Sequence, residues 1–179
     1  MKPLNLQQFD ALEAVRLRQE FSGELPLAAL SRFTDGLPAQ HGTVAWHAQG
    51  MEGRFGERLL RVHVRAQPLV VCQRCLEEFA WPIDSVTVLQ LVDSEDELGE
   101  YDPLDDEELE QGYDKVVGSH QFDLQAEIES ELILALPYIP RHEVCPGKGS
   151  APDSEPPVNP DRQRPFEQLA ELLGRGTKK

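Results

Sequence analysis

The 179-residue sequence has few cysteines, few aromatic residues and no long apolar run. No apolar run approaches the roughly 20 residues of a membrane-spanning helix, so we expect no membrane contact. Three cysteines are too few for the disulfide framework of a small secreted domain, and the first residues lack the apolar stretch and cleavage site of a secretory signal. Together these shortages predict a cytoplasmic protein.

The motifs of common enzyme classes are missing as well. The sequence contains no Walker-type phosphate loop, no dinucleotide-binding glycine motif, no nucleophile elbow and no HExxH helix. Carboxylates are numerous, but none stands in a recognisable acid–base arrangement. We therefore predict that the protein is not an enzyme and has no small-molecule substrate.

Basic residues are scarce in one part of the chain. Residues 75–140 contain one basic residue, Lys115, against nineteen acidic ones. Residues 1–74 contain nine basic and seven acidic residues, and residues 141–179 contain seven and six. The formal net charge of -15 opposes a broad grip on nucleic acid, whose affinity comes largely from neutralised phosphates. A local basic face is compatible with this distribution.

Alternation of apolar and polar residues begins at residue 42 and predicts strands. TVAWHAQG and ERLLRVHVRAQ both alternate, and the glycine-rich GMEGRFG joins them. PLVV, FAWPIDSVTVLQLV and YDKVVG continue the pattern, with Pro82 at an edge or a bulge. The sequence thus predicts an α+β fold in which an antiparallel β-meander of about four to six strands packs with a few helices.

Three segments have helical spacing. Leu6, Phe9 and Leu12 predict a short helix, and LAALSRF after Pro26 predicts a second. The strongest pattern is FDLQAEIESELILALP, with Asp123 as N-cap and Pro137 as the stop.

Composition divides the chain into a domain, a linker and a terminal helix. We predict a single α+β domain over residues 1–145. Its 93–110 segment has eleven carboxylates and no Lys or Arg, and should form a mobile loop. Residues 146–164 read as a flexible linker. Residues 165–174, which begin with a proline, predict a C-terminal helix that docks on the domain.

Two cysteine motifs suggest a metal site. Cys72 and Cys75 form a Cys-x-x-Cys turn, and "RHEVC" offers His142 and Cys145 at the same spacing. Zinc prefers four nitrogen and sulfur ligands in a tetrahedron, so these four residues are candidate zinc ligands. Two alternatives stay open: cysteines that pack as small hydrophobic side chains without meeting the histidine, and a redox dithiol.

One strand face is a candidate RNA-binding surface. On ERLLRVHVRAQ the side chains of Arg61, His63 and Arg65 should point one way, opposite the apolar ones. Further cationic residues extend this stripe, and the alternative is an ordinary solvent-facing strand. The complete candidate set is Arg54, Arg58, Arg61, His63, Arg65 and Arg74.

Three stretches, in this order, resemble the YceD family of bacterial proteins, the large ribosomal RNA subunit accumulation proteins. They are CQRCL with Phe79 following, DLQAEIESELILALPYIPRH, and PFEQLAEL, where Arg164 stands in place of the asparagine usual in the family. The resemblance extends over about residues 20 to 174. It implies a non-enzymatic factor that supports synthesis, processing or stability of large-subunit ribosomal RNA, and it brings no catalytic residues.

Two function hypotheses follow from this resemblance and the charge distribution. In the first, the arginine-bearing strand contacts a ribosomal RNA precursor and the acidic segment engages a basic ribosomal protein. In the second, the protein is an acidic escort for a basic ribosomal protein and does not contact RNA. In both, the candidate partner-binding carboxylates are Glu95, Asp96, Glu97, Asp105, Asp106, Glu107 and Glu108.

Overall fold

A five-stranded sheet and a small two-stranded hairpin make up the β-structure of this computed structural model, which describes residues 4–98 and 113–146. The strands are β1 (Glu20–Pro26), β2 (Thr43–Glu52), β3 (Arg58–Ala66), β4 (Leu69–Val71), β5 (Glu78–Ala80), β6 (Ile83–Val92) and β7 (Asp114–Val117). The large sheet has the order β1-β2-β3-β6-β7, and β4 pairs with β5.

Most of the large sheet is antiparallel, as the alternation predicts. β1, β2, β3 and β6 pair as antiparallel neighbours. β7 pairs parallel to β6, so the sheet is mixed. Pro82 lies between β5 and β6, where the chain passes from the hairpin to the large sheet. The α+β prediction is confirmed.

The helices are α1 (Ala11–Arg16), α2 (Ser31–Thr34) and α3 (Leu124–Ala135), with 3₁₀ turns at Leu6–Gln8, Leu27–Ala29 and Glu95–Leu98. Asp123 caps α3 by accepting a hydrogen bond from the Ala126 N–H at 2.9 Å. The helix predicted from Leu6, Phe9 and Leu12 is interrupted at Phe9, between the first 3₁₀ turn and α1. The Phe9 N–H and carbonyl both form hydrogen bonds with the backbone of Phe122.

Strand β1 is an element that the alternation did not reveal. No residue of β1 is fully buried; its side chains alternate between exposed and half-buried. Its Gly23 allows the Trp46 ring of β2 to lie directly against the β1 backbone, where a Cβ atom would be 2.9 Å from the ring. An edge strand with glycine and acidic residues gives little hydrophobic signal.

The core lies on one face of the large sheet. Helices α1 and α3 cover that face, where Val62, Val64 and Leu132 are fully buried. Glu129 of α3 is also buried, and its carboxylate accepts a hydrogen bond from the Phe33 N–H at 2.9 Å. This bond ties α2 to α3 and satisfies a polar group that would be costly to bury alone.

The packing leaves two places for function. One is the opposite face of the large sheet, and the other is the β4–β5 hairpin beside the end of α3. The predicted linker, the predicted C-terminal helix and residues 99–110 of the acidic segment lie outside the described residues, apart from Pro146 at the start of the linker. Among the described helices, none has the length and apolarity to cross a membrane.

Candidate metal centre

The first pair of cysteines lies in the turn of the β4–β5 hairpin, which we call the knuckle (residues 72–77). The Cys72 N–H donates to the Glu77 carbonyl, and the Leu76 N–H donates to the Cys72 carbonyl, both at 2.9 Å. Leu76 has φ of +66°, a left-handed conformation that side chains other than glycine seldom adopt. The turn therefore holds both cysteine side chains in a tight, strained loop.

The second pair reaches the knuckle because α3 stops nearby. Helix α3 ends at Ala135, before Pro137, and the chain then runs along the hairpin. The Gln73 N–H donates to the Pro140 carbonyl at 2.9 Å, which anchors this segment to the knuckle. His142 and Cys145 follow within five residues and are brought to the two knuckle cysteines.

The four side chains converge on one point. The donor atoms of Cys72, Cys75, His142 and Cys145 all lie within 4.8 Å of one another. Cys72 Sγ is 3.7 Å from Cys145 Sγ, and His142 Nδ1 is 3.3 Å from Cys75 Sγ and 4.0 Å from Cys145 Sγ. Tetrahedral zinc with Zn–S bonds of about 2.3 Å requires sulfur atoms about 3.8 Å apart. The donor set and its spacing therefore fit zinc.

The thiols have unequal acidities that suit a ligand cluster. Burial raises the pKa of Cys72, but backbone hydrogen bonds from Cys75, His142 and Arg74 outweigh it and lower the pKa to about 5. For Cys75, a backbone hydrogen bond from Glu77 lowers the pKa, whereas burial and the neighbouring thiols raise it, and the net shift is upward. A lowered pKa at Cys72 favours the thiolate form, which is the form that binds a metal ion.

Two further side chains support the cluster. The Arg74 guanidinium donates from Nε to Cys145 Sγ at 2.9 Å and from Nη2 to the His142 carbonyl at 3.3 Å. The hydrogen bond to Cys145 raises the pKa of Arg74. The Phe79 ring lies against the His142 imidazole, with centroids 4.2 Å apart. Arg74 thus offsets thiolate charge, and Phe79 orients the imidazole.

This geometry favours a structural site over the two alternatives. The cysteines do meet His142, so they are not merely packed as hydrophobic side chains. The knuckle lies in a hairpin turn and not at the helix N-terminus where thioredoxin-type dithiols are found. Four protein donors complete a tetrahedron and leave no position open for a substrate, as in structural zinc sites.

The candidate RNA-binding strand is β3, and its Arg61, His63 and Arg65 side chains share the face opposite the core. Asp84 of β6 also lies on that face and accepts from His63 Nε2 at 2.6 Å and from Arg65 Nε at 3.1 Å. The hydrogen bond from His63, followed by the charge of Arg65, lowers the pKa of Asp84. The Asp84 carboxylate therefore neutralises part of the positive charge of this face, because β6 pairs with β3.

The other candidate cations are dispersed. Arg58 forms an ion pair with Asp93 at 2.8 Å, and Arg54 lies over the Phe55 ring in the β2–β3 turn. Arg74 belongs to the metal centre. Arg61, between Gln49 and Val88 in the sheet, makes no ion pair with any carboxylate among the described residues.

The acidic candidates are only partly described. Glu95, Asp96 and Glu97 form an exposed 3₁₀ turn directly after β6. Asp105, Asp106, Glu107 and Glu108 lie outside the described residues.

Sequence reasoning placed Arg74 with the RNA-binding set and overlooked Phe79 as part of the metal centre. Their positions in the sequence could have indicated this role. Arg74 lies inside the Cys-x-x-Cys turn, and Phe79 lies in the strand that follows this turn. Their contacts involve residues 68 and 63 positions away, and no local pattern specifies such a pairing.

Comparison with known proteins identifies a family. A family model described as "Large ribosomal RNA subunit accumulation protein YceD" matches residues 60–173, more than half of the chain. The matched range contains all four metal-centre ligands and strands β4 to β7. No curated protein and no solved structure matches the chain.

Proposed function

Because the chain belongs to the YceD family of large ribosomal RNA subunit accumulation proteins, we propose that it is a non-enzymatic factor of large-subunit assembly. It would act in the cytoplasm and support the synthesis, processing or stability of large-subunit ribosomal RNA. The family match over residues 60–173 is the observation that carries this proposal. The closed donor set of the metal centre agrees with it, because such a site stabilises structure and does not bind a substrate.

The metal in this proposal is zinc, held by Cys72, Cys75, His142 and Cys145. It joins the knuckle to the segment that follows α3, a connection that otherwise rests on few hydrogen bonds. The bound ion supplies folding energy and no reaction chemistry.

Depleting the protein in the organism that encodes it tests the function. We expect the ratio of large-subunit to small-subunit ribosomal RNA to fall, and re-expression of the intact chain to restore it. The ratio can be measured by gel or capillary electrophoresis of total RNA. An unchanged ratio, with protein loss verified by immunoblot, would refute the proposed function.

Direct contact with RNA is the finer part of the proposal. Its contacts would come from the set Arg54, Arg58, Arg61, His63, Arg65 and Arg74, of which Arg58 is paired with Asp93 and Arg74 also supports the metal centre. Arg54 and Arg61 are the best tests of it, since the structure shows no ion pair between either of them and a described carboxylate. Cations without a partner can reach phosphate without breaking a bond first.

Replacing Arg54 and Arg61 with glutamine should weaken binding to large-subunit RNA fragments. The slope of the logarithm of affinity against the logarithm of salt concentration should become shallower by up to about two. Each lost phosphate contact removes about one unit from this slope. Filter binding at roughly 50 to 200 mM salt measures this. Arg32→Gln is the matched control, because Arg32 lies on α2, outside the large sheet. Equal affinity and slope in the double variant and wild type would exclude this surface.

The second candidate is an acidic escort for a basic ribosomal protein. It is favoured by the nineteen acidic residues against one basic residue over 75–140. The exposed turn of Glu95, Asp96 and Glu97 begins its contact surface, which the 105–108 carboxylates would extend. Removal of residues 95–108 should abolish capture of the partner while leaving the metal content intact; if capture survives, the acidic segment is not the binding element.

A further inference from the structure

Exposed apolar side chains are concentrated around the metal centre. Tyr138 is 99% exposed, Leu134 80%, Val144 78% and Leu76 74%, and Ile139 is also exposed. Leu76 belongs to the knuckle, Leu134 lies in the last turn of α3, and the other three lie between α3 and Cys145. We call these five residues the knuckle surface. Soluble proteins rarely expose so many large apolar side chains together unless the surface binds something.

The backbone holds these side chains outward. Tyr138 and Ile139 lie between Pro137 and Pro140, which limit the conformations of the segment. Leu76 stands out from the left-handed turn beside Cys75, where a glycine would be less strained. A shallow groove adjoins Tyr138, and most of its lining is apolar, formed by Leu37, Pro38, Val70, Val71, Leu136 and Pro140. The exposed Tyr138 side chain of the knuckle surface thus borders an apolar groove.

The charged side chains on the same segments indicate what the knuckle surface can bind. Glu77, Glu78 and Glu143 are exposed there, against exposed Arg141. Arg74 is engaged by Cys145 Sγ and the His142 carbonyl. Three carboxylates against one arginine repel a phosphate backbone and attract a cationic chain. An RNA strand is therefore a poor occupant, whereas a peptide with both apolar and basic side chains complements the surface.

We propose that the knuckle surface docks a basic, partly apolar segment of a large-subunit ribosomal protein. This inference rests on the proposed role in large-subunit assembly. The apolar side chains of the segment pack against Leu76, Leu134 and Tyr138, and its Lys or Arg side chains meet the glutamates. The metal centre holds the 137–145 segment against the hairpin, so docking requires the bound ion.

A peptide array tests the proposal with the full-length, zinc-loaded protein. The probes are short overlapping peptides that cover the large-subunit ribosomal proteins of the same organism. We expect binding to peptides that combine basic and large apolar residues. The Leu134→Ser/Tyr138→Ser variant should lose roughly tenfold or more in affinity, because exposed anchors contribute most of the binding energy. Glu77→Gln/Glu78→Gln should lose severalfold and bind with less dependence on salt.

Phe55→Ser is the matched control, since Phe55 is 79% exposed but lies in the β2–β3 turn, away from the knuckle. It should bind as wild type does. Metal content and thermal unfolding of each variant show that the fold is retained. The proposal is overturned if no peptide binds or if the double variant binds as tightly as the wild type. It is also overturned if ribosomal RNA fragments bind the knuckle surface instead, or if sedimentation shows that the double variant only disrupts self-association of the protein.

Failure of this inference is separable from failure of the proposed function. If depletion lowers the large-subunit ribosomal RNA ratio and the Leu134→Ser/Tyr138→Ser variant restores it fully, the function stands and the docking surface is wrong. If depletion leaves the ratio unchanged, the proposed function fails, and the array result then describes a protein contact with another role.

Discussion

Replacing His142 with alanine is expected to reduce bound zinc from about one ion per chain to nearly none after dialysis against a chelator. Three sulfur ligands remain, but the fourth position opens to water and the site loses the closed geometry of a structural centre. Because binding energy of a structural metal is also folding energy, we expect the melting temperature to fall by roughly 10 °C. Elemental analysis and a thermal unfolding scan measure the two effects.

His41→Ala provides the matched control for the loss of an imidazole. His41 is exposed and lies just before β2, outside the metal cluster. It should keep both the zinc content and the melting temperature of the wild type. Two results would show that the four residues are not the ligands of a structural zinc. One is wild-type protein that carries no zinc after expression in zinc-supplemented medium, and the other is a His142→Ala variant that keeps its zinc.

Replacing Gly50 with alanine is expected to cost about 3 kcal/mol or more of unfolding free energy, or to prevent folding. Gly50 lies in β2 directly beneath α1. An added Cβ atom would overlap the Ala14 carbonyl oxygen and lie 2.5 Å from the Ala14 carbonyl carbon and 2.6 Å from Val15 Cα. These are backbone atoms, so no side-chain rotation relieves the overlap. Helix α1 would have to move off the sheet.

Gly53→Ala is the control for this substitution. The three atoms nearest to its Cβ atom would all belong to the Glu57 side chain, whose exposed carboxylate can move away at the cost of its hydrogen bond from the Phe55 N–H. We expect a loss below about 1 kcal/mol, comparable with ordinary surface substitutions. Urea unfolding of the wild type and both variants provides the comparison. A Gly50→Ala protein within about 0.5 kcal/mol of the wild type would contradict the close approach of α1 to β2.

The regular elements with a buried face were predictable from the sequence. β2 and β3 bury alternate residues, and α3 buries Leu124, Ile128 and Leu132 at helical spacing. Periodic burial leaves a periodic pattern, so local sequence suffices for such elements. β1 escaped prediction because it is an edge strand without a fully buried side chain. The parallel pairing of β7 was not predictable, since no local pattern encodes the direction of a partner strand.

The candidate sites were predictable in parts. Each half of the metal centre has its own spacing motif, but Cys75 and His142 are 67 positions apart in the chain. Their meeting depends on the stop of α3 and on the Gln73–Pro140 hydrogen bond. For the β3 stripe, the sequence correctly placed three cationic side chains on one face. It did not show that β6 brings Asp84 against two of them.

What the sequence alone determined is the family, the α+β class, the buried faces of β2, β3 and α3, and the four candidate ligands. These depend on residue type and short-range spacing, which the chain displays directly. Only the tertiary structure decided that the two ligand pairs converge, that Arg74 and Phe79 support them, and that apolar side chains gather around the centre. Those features arise from contacts between segments far apart in the chain, and their positions follow from the packing of the whole domain.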